Sequence, residues 1–259
     1  LPRSGLSGGI QPEFGLIGFQ SLMRLEAAKE CQVPLSIVSS PRAARSTAIA
    51  LTLMATAAVV LANALPAAAQ RVASTPTVPV EELMKPGDLP DIAIGNADAK
   101  VTIIEYASMT CGHCANFATK VFPALKAKYI DTGKVRFISR EFPLDNLAAA
   151  ASMLTRCIDK SKSFDLVETL FATQSTWAAA EPLPKLLEVA KQAGFTKDTF
   201  ETCLKDQKLL DQIVAARKRA GEKFQIASTP TFFINGTRLA GASQMAEFEK
   251  VIDPLLEAK

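Results

Sequence analysis

Cys111-Gly112-His113-Cys114 is the stretch whose residue types and spacing best suit chemistry. Thiols two residues apart can meet across the first turn of a helix, and so cycle between dithiol and disulfide with little backbone movement. If the first of them opens the helix, the unpaired backbone N–H groups and the positive dipole end favour a thiolate. His113, the only histidine of the chain, sits one residue before Cys114, where its ring can donate to a thiolate or hold a positive charge beside it. A lowered thiol pKa stabilises the reduced pair and makes the disulfide the stronger oxidant; about 30 mV corresponds to roughly 1.4 kcal/mol for a two-electron couple. Cys111 is assigned as the exposed attacking sulfur that carries mixed disulfides, and Cys114 as the shielded resolving thiol.

Two other uses of such a pair compete. A zinc site needs about four ligands, and beyond the pair itself only Cys157, Cys203 and a sterically awkward His113 could complete one downstream of residue 69. A structural disulfide rarely closes so short a loop. Redox exchange without metal or cofactor is the preferred reading.

The surrounding pattern supplies the elements that must hold these residues. Val101 to Tyr106 (VTIIEY) is a β-branched run read as a buried strand, interrupted by one acid, Glu105. From Cys114 the apolar residues Phe117, Val121, Phe122, Leu125 and Tyr129 recur at helical spacing, with Pro123 expected to kink the helix. Val135 to Phe142 reads as a second strand. Asn146 to about Glu222 is Ala-, Leu- and Lys-rich and reads as several helices without a strand. Within it, Trp177, Phe164 and Phe171 read as core, and Arg217-Lys218-Arg219 as a solvated face. Ser228 to Leu239 returns to strand character around Asn235-Gly236, a strong hairpin signal. Ser243 to Leu256 reads as a closing amphipathic helix whose last turn Pro254 disturbs. The order is strand, helix, strand, helical block, hairpin, helix: a sheet core interrupted by one helical insertion.

The chain has 259 residues, 48% apolar, with a net charge of +3. So small a basic excess excludes a dominant nucleic-acid backbone binder, and one histidine excludes a multi-histidine metal centre. Thr47 to Leu65 is an uncharged apolar run, preceded by Arg42 and Arg45 and followed by Pro66 and Ala67-Ala68-Ala69. Residues 41–69 therefore read as a secretory signal; a retained membrane anchor is the alternative. Residues 1–40, opening on Leu1, are read as an extra segment outside the native mature chain. Cleavage after Ala69 would remove Cys31 and leave Cys111, Cys114, Cys157 and Cys203, an even set suited to an oxidising compartment. Residues 70–90 read as a flexible arm, 91–145 with 223–259 as the core, and 146–222 as the helical insertion.

Strand, CxxC, helix and a distant Thr229-Pro230 before a strand resemble the thioredoxin fold. With a helical block between its halves, the chain resembles the DsbA-like thiol:disulfide oxidoreductases of the bacterial periplasm from about Leu89 to Leu256. EYASMTCGHCANF, GKVRFISREFPLD and STPTFFING carry that likeness together. The implied fold is α/β, a thioredoxin fold with an inserted all-helical subdomain. The resemblance also implies a cis peptide bond before Pro230, packed against the active-site sulfurs, with the Thr229 backbone free to pair with an extended substrate. An ordinary trans turn is the alternative. Glu105 falls where similar proteins keep a buried acid near the resolving cysteine; a raised pKa there would let it exchange a proton with Cys114. The alternative is a solvent-facing edge residue. Gly-His between the cysteines, where the best-known oxidases have Pro-His, and Thr before Pro230, where they have Val, both bear on the redox potential.

Cys157 and Cys203 share the helical block, and in an exported protein they suggest a structural disulfide stabilising the fold by roughly 4 kcal/mol in the chain-entropy model; two buried thiols are the alternative. The expected function is a periplasmic disulfide oxidase, monomeric, acting on reduced or unfolded exported proteins. The resemblance implies a DsbB-type membrane partner that reoxidises it. An isomerase or reductase using the same site is the second reading, though residues 70–100 are too few for the dimerisation domain such enzymes usually need. A non-redox holdase using the groove around Pro230 is the third.

Overall fold

In a computed structural model of the chain, residues 77–241 and 244–258 are described. The signal segment 41–69, residues 1–40, the start of the arm and Ser243 lie outside them. Five strands form one mixed sheet in the order β1-β3-β2-β4-β5, comprising β1 (Ile92–Ile94), β2 (Val101–Ala107), β3 (Val135–Glu141), β4 (Thr231–Ile234) and β5 (Thr237–Ala240). β2 lies at the centre, parallel to β3 and antiparallel to β4. β1 pairs antiparallel with β3; at three residues it is too short for a period to show in the sequence, and the sequence reading contains no strand there.

Both faces of the sheet are covered, which is why β2 reads as a nearly unbroken apolar run. Alternation sends Val101, Ile103 and Ala107 to one face, against Cys114, Phe117 and Phe232, and Ile104 and Tyr106 to the other, against Ile138, Phe224 and Phe233. The same parity puts Glu105 on the face of Ile103 and Ala107, beneath the helix that carries Cys114. Phe117 stands at the centre of an aromatic cluster, its ring centroid 4.6 Å from Phe232 and 5.4 Å from Phe248. Burial of each such ring stabilises the fold by about 1.5–3 kcal/mol, and the cluster fixes the helix one turn beyond Cys114.

In chain order, α1 (Val80–Met84) lies in the lead-in arm, α2 (Gly112–Asn116) follows the first cysteine, and α3 (Phe122–Leu125) follows α2 after a wide turn. The expected kink at Pro123 takes a specific form. Pro123 has no N–H to give, and the helix widens just before it, with the Phe122 N–H reaching back five residues to the Phe117 carbonyl. A second wide turn ends with the Asp131 N–H on the Lys126 carbonyl. The arm is less irregular than its composition suggests: α1 buries Leu83, and Thr77 bridges to Thr237 on the sheet edge.

Between β3 and β4 lie only helices, the longer ones being α4 (Asn146–Cys157), α5 (Ser163–Ala172), α7 (Pro182–Gln192), α8 (Lys197–Leu204) and α9 (Gln207–Phe224), with the short α6 (Gln174–Trp177) between α5 and α7. Trp177, Phe164 and Phe171 are buried there. The β4–β5 hairpin turns at Asn235 and Gly236, both at positive φ. A side chain on Gly236 would lie 2.3 Å from the Val78 carbonyl oxygen, so the arm can cross the turn only over glycine. The closing helix α10 (Met245–Glu257) runs through Pro254 rather than ending there.

Candidate active site

Cys111 is the N-cap of α2, in extended conformation at φ −76° and ψ 117°. Its N–H donates to the Ser108 carbonyl at 3.0 Å and its carbonyl accepts from the Ala115 N–H at 3.1 Å, so the sulfur sits where the helix begins. Cys114, one turn in, is fully buried against the sheet. Both are free thiols, Cys111 partly exposed and Cys114 inaccessible.

The peptide bond between Thr229 and Pro230 is cis. It brings the Thr229 carbonyl to the first sulfur: the Cys111 thiol donates to that oxygen at 3.3 Å. Thr229 Oγ1 is buried without a hydrogen-bond partner while Cys111 is a thiol. Ionisation turns the sulfur from donor to acceptor, and the hydroxyl can then donate to it.

The two thiols are driven in opposite directions. Cys111 is held at about 5, first by the hydrogen bond from Cys114, with Thr229 and the backbone N–H groups of Cys114 and His113 adding to it against partial burial. Cys114 is pushed far above the ordinary thiol range, by burial first, then by its hydrogen bond to Cys111 and by the charges of Glu105 and Cys111. His113 serves the sulfur through its backbone N–H; its side chain is exposed.

Glu105 is only 3% exposed, and its Oε1 has no hydrogen-bond partner. Burial, reinforced by the negative charge of Cys111, raises its pKa to about 8. A carboxyl with that pKa is mostly protonated near neutrality, and its charge, when present, helps to push up the Cys114 thiol.

Residues without a conspicuous signal in the sequence complete the setting. Asp145, the N-cap of α4, accepts from the Ala148 N–H at 2.7 Å with one oxygen and from the Thr110 hydroxyl at 2.6 Å with the other. Its capping position before Asn146 is readable, but its grip on the residue preceding Cys111 is not. The Gln174 side chain reaches the same loop from α6. Cys157 and Cys203, at the end of α4 and in α8, form a disulfide with Cα atoms 5.9 Å apart, away from the CxxC pair. No group of three or more acidic, histidine or cysteine side chains able to hold a metal occurs among the described residues.

A mixed sheet, a CxxC pair entering a helix after the central strand, and a cis-proline loop against the first sulfur define a thioredoxin-fold dithiol protein. Residues 88–254 match the family model described as thioredoxin. "Putative protein-disulfide oxidoreductase" of Rickettsia bellii is 31% identical over 194 residues, 74% of this chain and 74% of that one. Wolbachia pipientis alpha-DsbA1 is 36% identical over 68% of this chain and 94% of its own, with a TM-score of 0.63. BdbD from Bacillus subtilis, at 22% identity and a TM-score of 0.59 over 65% of this chain and 94% of its own, shares the fold. The chain belongs to the thioredoxin family and is a DsbA-like thiol:disulfide oxidoreductase.

Proposed function

We propose that this protein donates disulfides to exported proteins through Cys111 and Cys114. The opposed environments of the two sulfurs carry that reading: an anion-stabilising helix start for Cys111 and a closed, acid-lined site for Cys114. A client thiolate attacks the Cys111 sulfur of the Cys111–Cys114 disulfide, and Cys114 leaves with the bonding electron pair. A second client thiolate then attacks the client sulfur of the mixed disulfide, and Cys111 leaves as a stabilised thiolate. The client loses two electrons and two protons; the protein takes up both electrons and ends with Cys111 as thiolate and Cys114 as thiol, one proton being kept on Cys114 and the other released to solvent. Cys114 is a poor leaving group in so dry a site, and protonated Glu105 supplies a proton to it. His113 adds its backbone N–H to the Cys111 anion, and the backbone of Thr229, before Pro230, aligns the client as an extended strand.

The reading places the protein in the periplasm, exported by residues 41–69, as a monomer reoxidised by a DsbB-type membrane partner. The Cys157–Cys203 bridge supports the fold without taking part in exchange. Among the described residues no helix is long and apolar enough to cross a membrane. Equilibration with glutathione buffers tests the direction of exchange. A midpoint well above that of thioredoxin, near −270 mV, supports donation, whereas one at or below it would make the protein a reductase. Substitution of Cys111 by Ser should abolish oxidation of a reduced client, and survival of activity would point to a holdase.

A further inference from the structure

The loop that delivers Cys111 is held from one side by a single carboxamide. Gln174 Nε2 donates to the Met109 carbonyl at 2.8 Å and to the Cys111 carbonyl at 3.0 Å, so both its protons are used on the two peptide groups flanking Thr110 and Cys111. Gln174 opens α6, and Trp177, one turn later on the same face, fixes that helix: it is fully buried, and its indole N–H donates to the Leu170 carbonyl at 2.8 Å. On the other side of the loop Asp145 holds Thr110. Gln174 lies in the helical insertion and Asp145 caps the first helix of that insertion, and both act within two residues of Cys111.

We infer that Gln174 is a positioning residue for exchange, through which the helical insertion sets the conformation in which Cys111 enters its helix. The Cys111 carbonyl belongs to the peptide whose N–H is that of Gly112, the first of α2. Fixing this carbonyl orients the first turn, and that turn supplies the His113 and Cys114 N–H groups to the sulfur. Without the Gln174 amide protons the Met109 and Cys111 oxygens lose a donor in a part-buried place, and the loop has reason to turn toward water. The insertion then does more than cover the sheet: it tunes the attacking sulfur.

This rests on Cys111 being the ionised, attacking thiol, and the test separates the two. Gln174→Met keeps the length of the side chain and removes both donors. In the reduced, full-length protein the thiolate titration should move up by about 0.5–1 pKa unit, and the glutathione equilibrium should shift by about 3–10-fold toward the disulfide form. Gln174→Glu, which sets a carboxylate against the same two oxygens, should move both further. Should Gln174→Met fail to fold, Gln174→Asn, which keeps the amide but falls short of the loop, carries the same expectation. A lower melting temperature with unchanged titration and unchanged midpoint would show a merely structural residue and overturn the inference. An ordinary thiol pKa in the unsubstituted protein would instead overturn the reading of the site, and this inference with it.

Discussion

The Cys111 thiol donates to the Thr229 carbonyl oxygen at 3.3 Å, across 118 residues of chain and the whole helical insertion. β4 begins two residues after Thr229 and pairs with β2, which ends four residues before Cys111, so the central strand pairing sets this contact. The carbonyl suits the neutral thiol, while the unpartnered Thr229 hydroxyl suits the anion.

Thr229→Val should therefore raise the Cys111 pKa while leaving the carbonyl contact in place, because it removes one donor available to the anion. A shift of about 0.5–1 pKa unit corresponds to a single modest hydrogen bond. Ultraviolet thiolate absorbance of the two reduced proteins measures it directly.

Glu105 affects stability with the opposite sign to an ion-paired acid. Its folded pKa, near 8, lies above the unfolded value, so the reduced protein loses stability as pH rises from about 4.5 through 8. Glu105→Gln should stabilise the reduced protein at pH 7, by roughly 3 kcal/mol, with no gain at pH 4. The same substitution should slow exchange at Cys114. Urea melts at the two pH values and stopped-flow reoxidation check each half.

Ionisation of Cys111 should favour the reduced form over the oxidised one. Its depressed pKa contributes stability above the unfolded value, near 8.5, that is lost as pH falls through about 5. After allowance for solvent screening at this partly exposed sulfur, the preference at pH 7 is about 1–2 kcal/mol. Paired denaturation curves of the two redox forms should differ by that amount at pH 7 and converge below pH 5.

The Cys157–Cys203 bridge spans a sequence separation of 46 and joins α4 to α8. Replacing both cysteines by Ala should destabilise the protein by about 4 kcal/mol in the chain-entropy model and leave the glutathione midpoint of the CxxC pair unchanged. Denaturation and redox titration of the double variant read these separately.

Beside that bridge, Arg156 and Glu141 form a pair whose side chains are 8% and 6% exposed, with nitrogen and oxygen 2.5 Å apart. Arg156→Met would leave Glu141 buried and uncompensated, a loss of about 3–5 kcal/mol. A melting curve of the variant measures it.

What was legible in the sequence was whatever local pattern expresses. A β-branched apolar run exposed β2, alternation exposed β3, the Asn235-Gly236 turn exposed the hairpin, and CxxC at a strand-to-helix junction exposed the reacting sulfurs. β1 was hidden because three residues cannot show a period, and α1 because Pro79 and Pro86 disguise a single helical turn. Glu105 could be placed on a strand but not on a face, since its burial depends on a helix packed above it. Gln174 gave no signal, because its role comes entirely from distant peptide oxygens that tertiary packing brings within reach.

The pH titration of thiolate absorbance in the reduced protein bears most directly on the central claim. One sulfur ionising with a midpoint near 5, and the other remaining protonated throughout the accessible range, is the predicted result. Two thiols titrating together near 8.5, as free cysteine does, would contradict it.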